Sequence, residues 1–216
     1  MLLRKEQLLA AKLASADLPA GHADTTRAAL TCIRIEPNGT TWASDGSVAV
    51  KVTVPEPPTE LYPEILAGDT TEPTGDVLMP GKLALDLAKQ LPKGRQVPDL
   101  LKRFAILREN CETFHVGTTD LDTPHTSSFD GHPNPYPDIE RIYADLDRDG
   151  PEEKPHVAGF DFRIVQRLAV YRTQAFPLFD SRHKTGVELR GAKRAASLRW
   201  SAEGVDVHAL LMPVHM

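Results

Sequence analysis

The sequence predicts an α+β protein made of three successive units, each an amphipathic helix trailed by short antiparallel strands. Two observations carry this. The apolar spacing changes from helical to alternating three times along the chain, and each change is followed by short strand-like runs bounded by turn residues. A third observation is compositional: 216 residues with 41% hydrophobic content are enough to bury an ordinary globular core.

The elements follow in order. Unit one opens with "LLRKEQLLAAKLAS", whose helical spacing puts Leu2, Leu9 and Leu13 among the core positions. The strands "AALTCIRIEP", "GTTWASDG" and "VAVKVTVP" follow it. A Pro/Glu/Thr-rich stretch, "PEPPTELYPEILAGDTTEPTG", separates it from unit two. That unit restarts with "DVLMPGKLALDLAKQL", continues through "RFAILREN" and "CETFHVGT", and runs as a loop-rich passage to Tyr143. An acidic linker, "ADLDRDGPEEKP", leads to the third helix in "HVAGFDFRIVQRLAVYR". Strands "TGVELRG", "AASLRWSA" and the apolar ending "VDVHALLMPVHM" complete unit three. The predicted organisation is a domain over 1–146, with halves at about 1–55 and 75–146, and a C-terminal half-domain over 156–216.

Charge is segregated by sign. Across residues 2–15, 81–93 and 160–172 there are nine Lys and Arg against three acids, a net of +6 in a chain of −5, which leaves −11 elsewhere. Arg4, Lys5 and Lys12 share one arc of the first helix, Lys82 and Lys89 one arc of the second, and Arg163 and Arg167 one arc of the third. Basic helices in an acidic shell suit a local nucleic-acid contact, whereas the overall charge argues against coating nucleic acid by bulk attraction. No apolar run approaches the roughly 18 residues that span a bilayer. Charges also break up "MLLRKEQLLAAKL", where a signal peptide needs an unbroken apolar stretch. A cytoplasmic location is expected, with no membrane partner. Cys32 and Cys111 fall in strand-like runs and read as buried reduced thiols.

Three segments resemble the bacterial DNA polymerase III β sliding clamp family: "ASDGSVAV", "TSSFDGHPNPYPDIERI" and "LLMPVHM", in the family's order. The first resembles a Thr-Asp-Gly turn with a short apolar strand, and the second a segment ending in Phe-Pro-Asp-Tyr and Arg-Val. The third resembles a Val-Met-Pro-Met-Arg-Leu ending. The resemblance implies clamp-like α+β repeats, with units one and two matching the family's middle domain and unit three the second half of its last domain. The family's ring has twelve halves and this chain three, so four copies would supply that number and a homo-oligomer is an open alternative. The resemblance also implies a non-enzymatic replication or repair accessory protein without a cofactor. Its partners would be polymerase-type proteins carrying short clamp-binding motifs, and double-stranded DNA held weakly and without sequence preference.

By the same resemblance, a peptide pocket would include Leu30, Ser44, Asp45, Gly46, Ser47, Val48, Pro137, Arg141, Ile142, Asp161 and Ile164. The ending would add Leu210, Leu211, Met212, Pro213 and Val214, so that the apolar tail completes a strand and walls the pocket. The DNA-facing set would be Arg4, Lys5, Lys12, Lys82, Lys89, Arg163 and Arg167. Departures stand at Ser47 and Val48, where the family often has His and Arg, and at His215-Met216, which replace Arg-Leu.

Two other function classes remain as alternatives. One is a regulator that binds clamp partners without touching DNA. The other is a metal-dependent hydrolase built on Asp120, Asp122, Asp130 and His132, since clustered carboxylates can hold a hard divalent cation. Against enzymes generally, the chain has no GxxxxGK phosphate loop, no GxSxG turn and no His-Glu metalloprotease helix. His115, His125 and His132 lie ten and seven residues apart, which matches no compact metal site.

Overall fold

The computed structural model describes residues 1–14, 28–55, 71–92, 97–110, 112–119, 124–149, 160–176, 186–188, 195–202 and 204–212. Cys111, Lys93, Asp120, Asp122, Pro213 and Val214 lie outside them.

The first unit does not begin as a helix. Leu2–Arg4 form a strand, β1, and the helix α1 is confined to Lys5–Leu9, continuing as a 3-10 turn over Ala10–Leu13. Competition between the two conformations is decided by pairing elsewhere: Leu2, Leu3 and Arg4 align with Ala105, Phe104 and Arg103 of β6 (Arg103–Arg108). The Gln7 side chain closes the helix start by accepting from the Arg4 N–H at 2.6 Å. Arg4 is therefore a buried strand residue, 7% exposed and ion-paired to Glu6 at 3.2 Å, and it leaves the helical arc expected for it.

Unit one continues with β2 (Cys32–Ile35), β3 (Thr41–Ser44) and β4 (Val48–Thr53). Unit two repeats the arrangement: β5 (Val77–Pro80), α2 (Gly81–Gln90), β6, β7 (Thr113–Thr119) and β8 (Pro124–Asp130). The passage expected to be a loop up to Tyr143 thus contains β8 and the start of a further helix, α3 (Ile139–Asp149). That helix also takes the first six residues of the expected acidic linker, because Ile139 and Tyr143, one turn apart, both find apolar cover. Unit three supplies α4 (Phe162–Ala175), β9 (Gly186–Glu188), β10 (Ala196–Ala202) and β11 (Val205–Leu211).

The leading strands of the first two units are exchanged. β1 joins the sheet of unit two, in the order β1-β6-β7-β8, while β5 joins that of unit one. The second sheet then runs on into unit three, in the order β5-β2-β3-β4-β11-β10-β9, and every pairing is antiparallel. On one side of the sheets, α1 lies between α2 and α4. Leu8, Leu13, Leu87, Leu91, Leu168 and Tyr171 from this helical layer meet Ile33, Val50, Val52, Val207, Leu211, Phe104 and Ile106 in one continuous core. Apolar burial on this scale is the main favourable term in the fold.

Gly81, the first residue of α2, sits against unit one. Its N–H donates to the Thr31 carbonyl at 2.9 Å, and a Cβ there would lie 2.7 Å from that same oxygen. The obstacle is backbone, so a side chain must displace one unit from the other. Gly81→Ala is expected to cost about 1–3 kcal/mol in denaturant or thermal unfolding. Gly75→Ala, where a Cβ meets nothing within 4 Å, is the control and should leave stability nearly unchanged.

Candidate functional site

Units one and three meet where β4 pairs with β11, in a register running from Asp206 opposite Thr53 to Leu211 opposite Val48. The pairing extends one step beyond the strand, where the Met212 N–H donates to the Ser47 carbonyl at 2.9 Å. The turn receiving it is held from within. Asp45 Oδ1 accepts from the N–H groups of Ser47 and Val48 at 2.8 and 3.0 Å, and the Ser44 hydroxyl donates to the Val48 carbonyl at 2.8 Å. Gly46 takes φ +90°, the left-handed region that glycine occupies at little cost. The outer Asp45 oxygen pairs with Arg167 of α4, whose Nη2 also donates to the carbonyls of Lys12 and Ala14 at 2.9 and 3.1 Å. One guanidinium thus ties the turn, the end of the 3-10 segment and α4 together.

The two faces of this joint differ. Val48, Val50, Val52, Val207, Ala209 and Leu211 face the helices, whereas Trp42, Ala49 and Leu210 face the other way. There α3 covers them with Ile139 and Tyr143, Ala195 joins the cluster, and Tyr136 and Met212 lie at its edge. The Tyr143 ring meets Trp42 and His208 edge-on, at centroid distances of 5.1 and 4.6 Å, and its hydroxyl donates to the His208 carbonyl at 2.9 Å. The Lys51 ammonium sits 4.9 Å over the Trp42 ring. Ile142, next to Tyr143 on α3, is 37% exposed. The result is an apolar cluster with a partly open apolar rim.

A cleft of about 1000 Å³ adjoins it. The chain leaving β8 crosses onto β5, where the His132 N–H donates to the Leu78 carbonyl at 3.3 Å. Asp76, Glu112, Asp130, Asp138 and Glu140 line the cleft with Arg34 and His132. Arg34 bridges Asp76 and Glu140, both at 2.7 Å, and so fastens α3 to the sheet. Among the described residues no group of three or more His, Cys, Asp or Glu is placed to hold a metal ion. Of the hydrolase quartet, Asp130 and His132 line this cleft, and Asp120 and Asp122 lie outside the described residues.

The residues expected at a peptide pocket are divided by the alternation of the strands. Ser44 to Val48 and Leu210 to Met212 do come together. Leu211 and Val48, however, point into the helical core, and Leu210 is fully buried under α3. Arg141 and Ile142 are exposed on α3, and Pro137 is half-buried in the segment before it. Asp161 caps α4 by accepting from the Arg163 N–H at 2.8 Å, and Ile164 packs on the main core, both in the helical layer. Leu30 is half-buried ahead of β2. Trp42, Ile139, Tyr143 and Tyr136 were not expected here, although Trp42 stands in the same strand phase as Ser44, and 139 and 143 share a helix face.

The cations of the helical layer are already engaged to different degrees. Lys5 donates to the Leu91 carbonyl at 3.0 Å, Lys12 reaches Gln174, Lys89 pairs with Asp86 at 2.7 Å, and Arg163 pairs with Asp161 at 2.7 Å. Lys82, Lys89 and Arg163 are exposed.

Neither a protein-family model nor a curated protein matches the sequence. Solved structures do. A protein described as a DNA polymerase III beta subunit from Eubacterium rectale superposes at a TM-score of 0.61 and 11% identity, over 99% of this chain and 64% of its own. The sliding clamp of Pseudomonas aeruginosa bound to griselimycin gives 0.57 and 13%, over 100% and 65%. The Thermotoga maritima beta subunit gives 0.54 and 12%, over 100% and 64%. The fold is that of the bacterial sliding clamps. The chain spans just under two thirds of the length of these clamps, and at such identities the likeness is one of fold.

The clamp fold here buries three phenols. Burial pushes Tyr143, Tyr136 and Tyr171 above the ordinary tyrosine range. A raised folded-state value favours the neutral form, so the stabilisation is complete below about pH 10 and is lost as pH rises from there toward the folded-state values. Absorbance at 295 nm should therefore show these three tyrosines ionising only as the protein unfolds, with the midpoint of chemical denaturation falling steadily above about pH 10. Free titration of all four tyrosines near pH 10 in the folded protein would contradict the packing.

Proposed function

We propose that this chain is a clamp-type accessory protein of DNA replication or repair, comprising a two-half domain over 1–146 and a half-domain over 156–216. It docks a short extended peptide of a polymerase-type partner on the outer face of the β4–β11 joint. The observation that carries this reading is the apolar cluster of Trp42, Tyr143, Ile139 and Leu210, rimmed by the half-buried Met212 and Tyr136, with the exposed Ile142 next to Tyr143 along α3. A peptide needs a few apolar anchors in a preformed surface to offset the entropy lost on docking. Exposed apolar side chains beside a buried aromatic cluster supply such anchors. Superposable clamps bound to griselimycin and in complex with diflunisal support a ligand-binding role for this fold.

Binding of DNA by the helical layer is the second part of the proposal, through Lys82, Lys89 and Arg163, with Lys5 and Lys12 beside them. A regulator that binds partners and leaves DNA alone is favoured by a specific observation: Lys5, Lys12, Lys89, Arg163 and Arg167 are already partnered within the chain.

Two measurements divide these readings. A labelled peptide with Gln and Leu anchors should bind the parent and bind about tenfold or more weakly to Ile142→Asp or Met212→Asp. Ile142 is exposed, so its variant should melt like the parent. Binding unaffected by both changes would remove the outer cluster from consideration. For DNA, the triple variant Lys82→Ala, Lys89→Ala and Arg163→Ala should weaken duplex binding at low salt and reduce the salt slope by about 0.9 for each phosphate no longer neutralised. A parent that binds no duplex at low salt leaves the regulator as the function.

A further inference from the structure

Five residues, one from each of five adjacent strands, form a line across the outer face of the larger sheet. Register places Arg34 of β2 opposite Trp42 of β3, Trp42 opposite Lys51 of β4, Lys51 opposite His208 of β11, and His208 opposite Arg199 of β10. Their neighbours Ile33, Ala43, Val50, Val207 and Trp200 turn to the helical core, so the five side chains stand on the same side as Tyr143.

The charges in this line are neutralised unevenly. Arg34 meets three carboxylates, that of Glu36 at 3.3 Å and those of Asp76 and Glu140 at 2.7 Å. Lys51 is half-buried and meets none among the described residues; its ammonium stands 4.9 Å from the centroid of the Trp42 ring. That ring is itself fixed, because Trp42 Nε1 donates to Glu36 at 2.7 Å. A cation–π contact orients an ammonium without using its N–H donors. On the other side of His208, Arg199 is exposed and donates to His208 Nε2 at 3.4 Å, while Asp206, the next outward residue of β11, accepts from Ser201. Two permanent cations flanking one histidine raise the local positive potential in a chain of net charge −5.

The line touches the outer apolar cluster, to which Trp42 and Tyr143 belong. Along the β4–β11 joint, the Ser47–Met212 step and the Lys51–His208 step are four residues apart, about 13 Å at the rise of a strand. Between them α3 covers Ala49 and Leu210, so a peptide passes beside the helix and needs at least about four extended residues for that length.

We propose that the peptide docked on the outer cluster carries an Asp or Glu at least about four residues from its anchor at Met212, and that Lys51 receives this carboxylate, with Arg199 adding to the attraction. The inference rests on the peptide-docking reading and adds the charge that the partner must bring. A carboxylate gains charge-assisted hydrogen bonds from an oriented ammonium that no acid of the chain already holds. A basic flank meets repulsion at the same place, so the line rejects as well as selects.

Fluorescence anisotropy on the full chain tests it with labelled peptides that share Gln and Leu anchors. Each carries two Asp, two Asn or two Lys about four to six residues before or after the anchors. At one of the two ends the parent should bind the Asp form about three- to fivefold more tightly than the Asn form and the Lys form more weakly, with the difference shrinking at high salt. Lys51→Met should bind the Asp and Asn forms alike, and Lys51→Glu should reverse the order, both with melting curves that show a folded protein. Lys102→Glu, just ahead of β6, makes the same change in net charge and should leave the order as it is. A parent that binds the Asn form as well as the Asp form would remove this inference alone, whereas one that ignores all three peptides would remove the docking reading with it. An order that Lys51→Glu leaves unchanged, or that Lys102→Glu reverses equally, would overturn the assignment to Lys51.

Discussion

Everything that distinguishes this structure depends on the antiparallel pairing of β4 with β11. It joins residues 48–53 to residues 206–211, and ordering so long a loop costs entropy that local propensity does not offset. The pairing must also be in one register. A slip by a single residue would turn Val207, Ala209 and Leu211 outward and bring His208 and Leu210 into the helical core. What prevents it is the turn at 44–48, which fixes the end of β4 through Asp45 and the left-handed Gly46 and receives the Met212 N–H beyond the end of β11. Arg167 locks the same turn from the helical side, so a slipped strand would leave a part-buried carboxylate and two carbonyls without their partner.

The first two units are held differently, by exchanging their leading strands. Neither can keep a complete sheet without the other, and the Gly81 contact with Thr31 leaves no slack between them. Unit three gives no strand to the others among the described residues. It joins through the β4–β11 pairing, Arg167, the Lys12–Gln174 contact, the packing of α4 on α1 and the 3-10 segment, and the α3 cluster over Leu210 and His208.

Much of this was legible in the sequence because period and turn chemistry are local signals. The strands at 32–35, 41–44, 48–53, 103–108 and 113–119 and the helix at 162–175 follow from alternation, helical spacing and punctuation by Gly, Pro and Asp. Failures arose where tertiary pairing decided. Leu2–Arg4 continue a helical pattern, yet β6 recruits them as a strand, and with them Arg4 leaves the basic arc. The passage "PHTSSFD" is too polar to read as a strand, because β8 is a sheet edge whose residues 125–128 face water. "ADLDRD" is acidic enough to read as the start of a linker and "IERIY" falls in a passage read as loop-rich; among the described side chains Ile139 and Tyr143 report the buried face of α3. The site suffered from the same limit. A resemblance along the sequence names neighbours in the chain, but strand alternation sends Val48 and Leu211 to one face and Leu210 to the other.

That division bears on how the two proposed activities relate. The basic side chains and α4 belong to the helical layer, the Trp42–Tyr143 cluster belongs to the far face, and the sheet between them is one residue layer thick. Tyr143 spans the difference: its ring packs on the outer cluster while its hydroxyl holds the His208 carbonyl of β11. A ligand bound as proposed against Ile142 and Met212 would therefore press on the strand whose other face anchors Val207, Ala209 and Leu211 among the helices. Communication between the faces needs no separate pathway, because any ligand that binds one arrangement of β11 better than another shifts the whole joint by that difference in affinity. The turn at 44–48 holds that joint from both sides, through the Asp45 hydrogen bonds to Ser47 and Val48 and the Asp45–Arg167 pair that ties it to the helical layer.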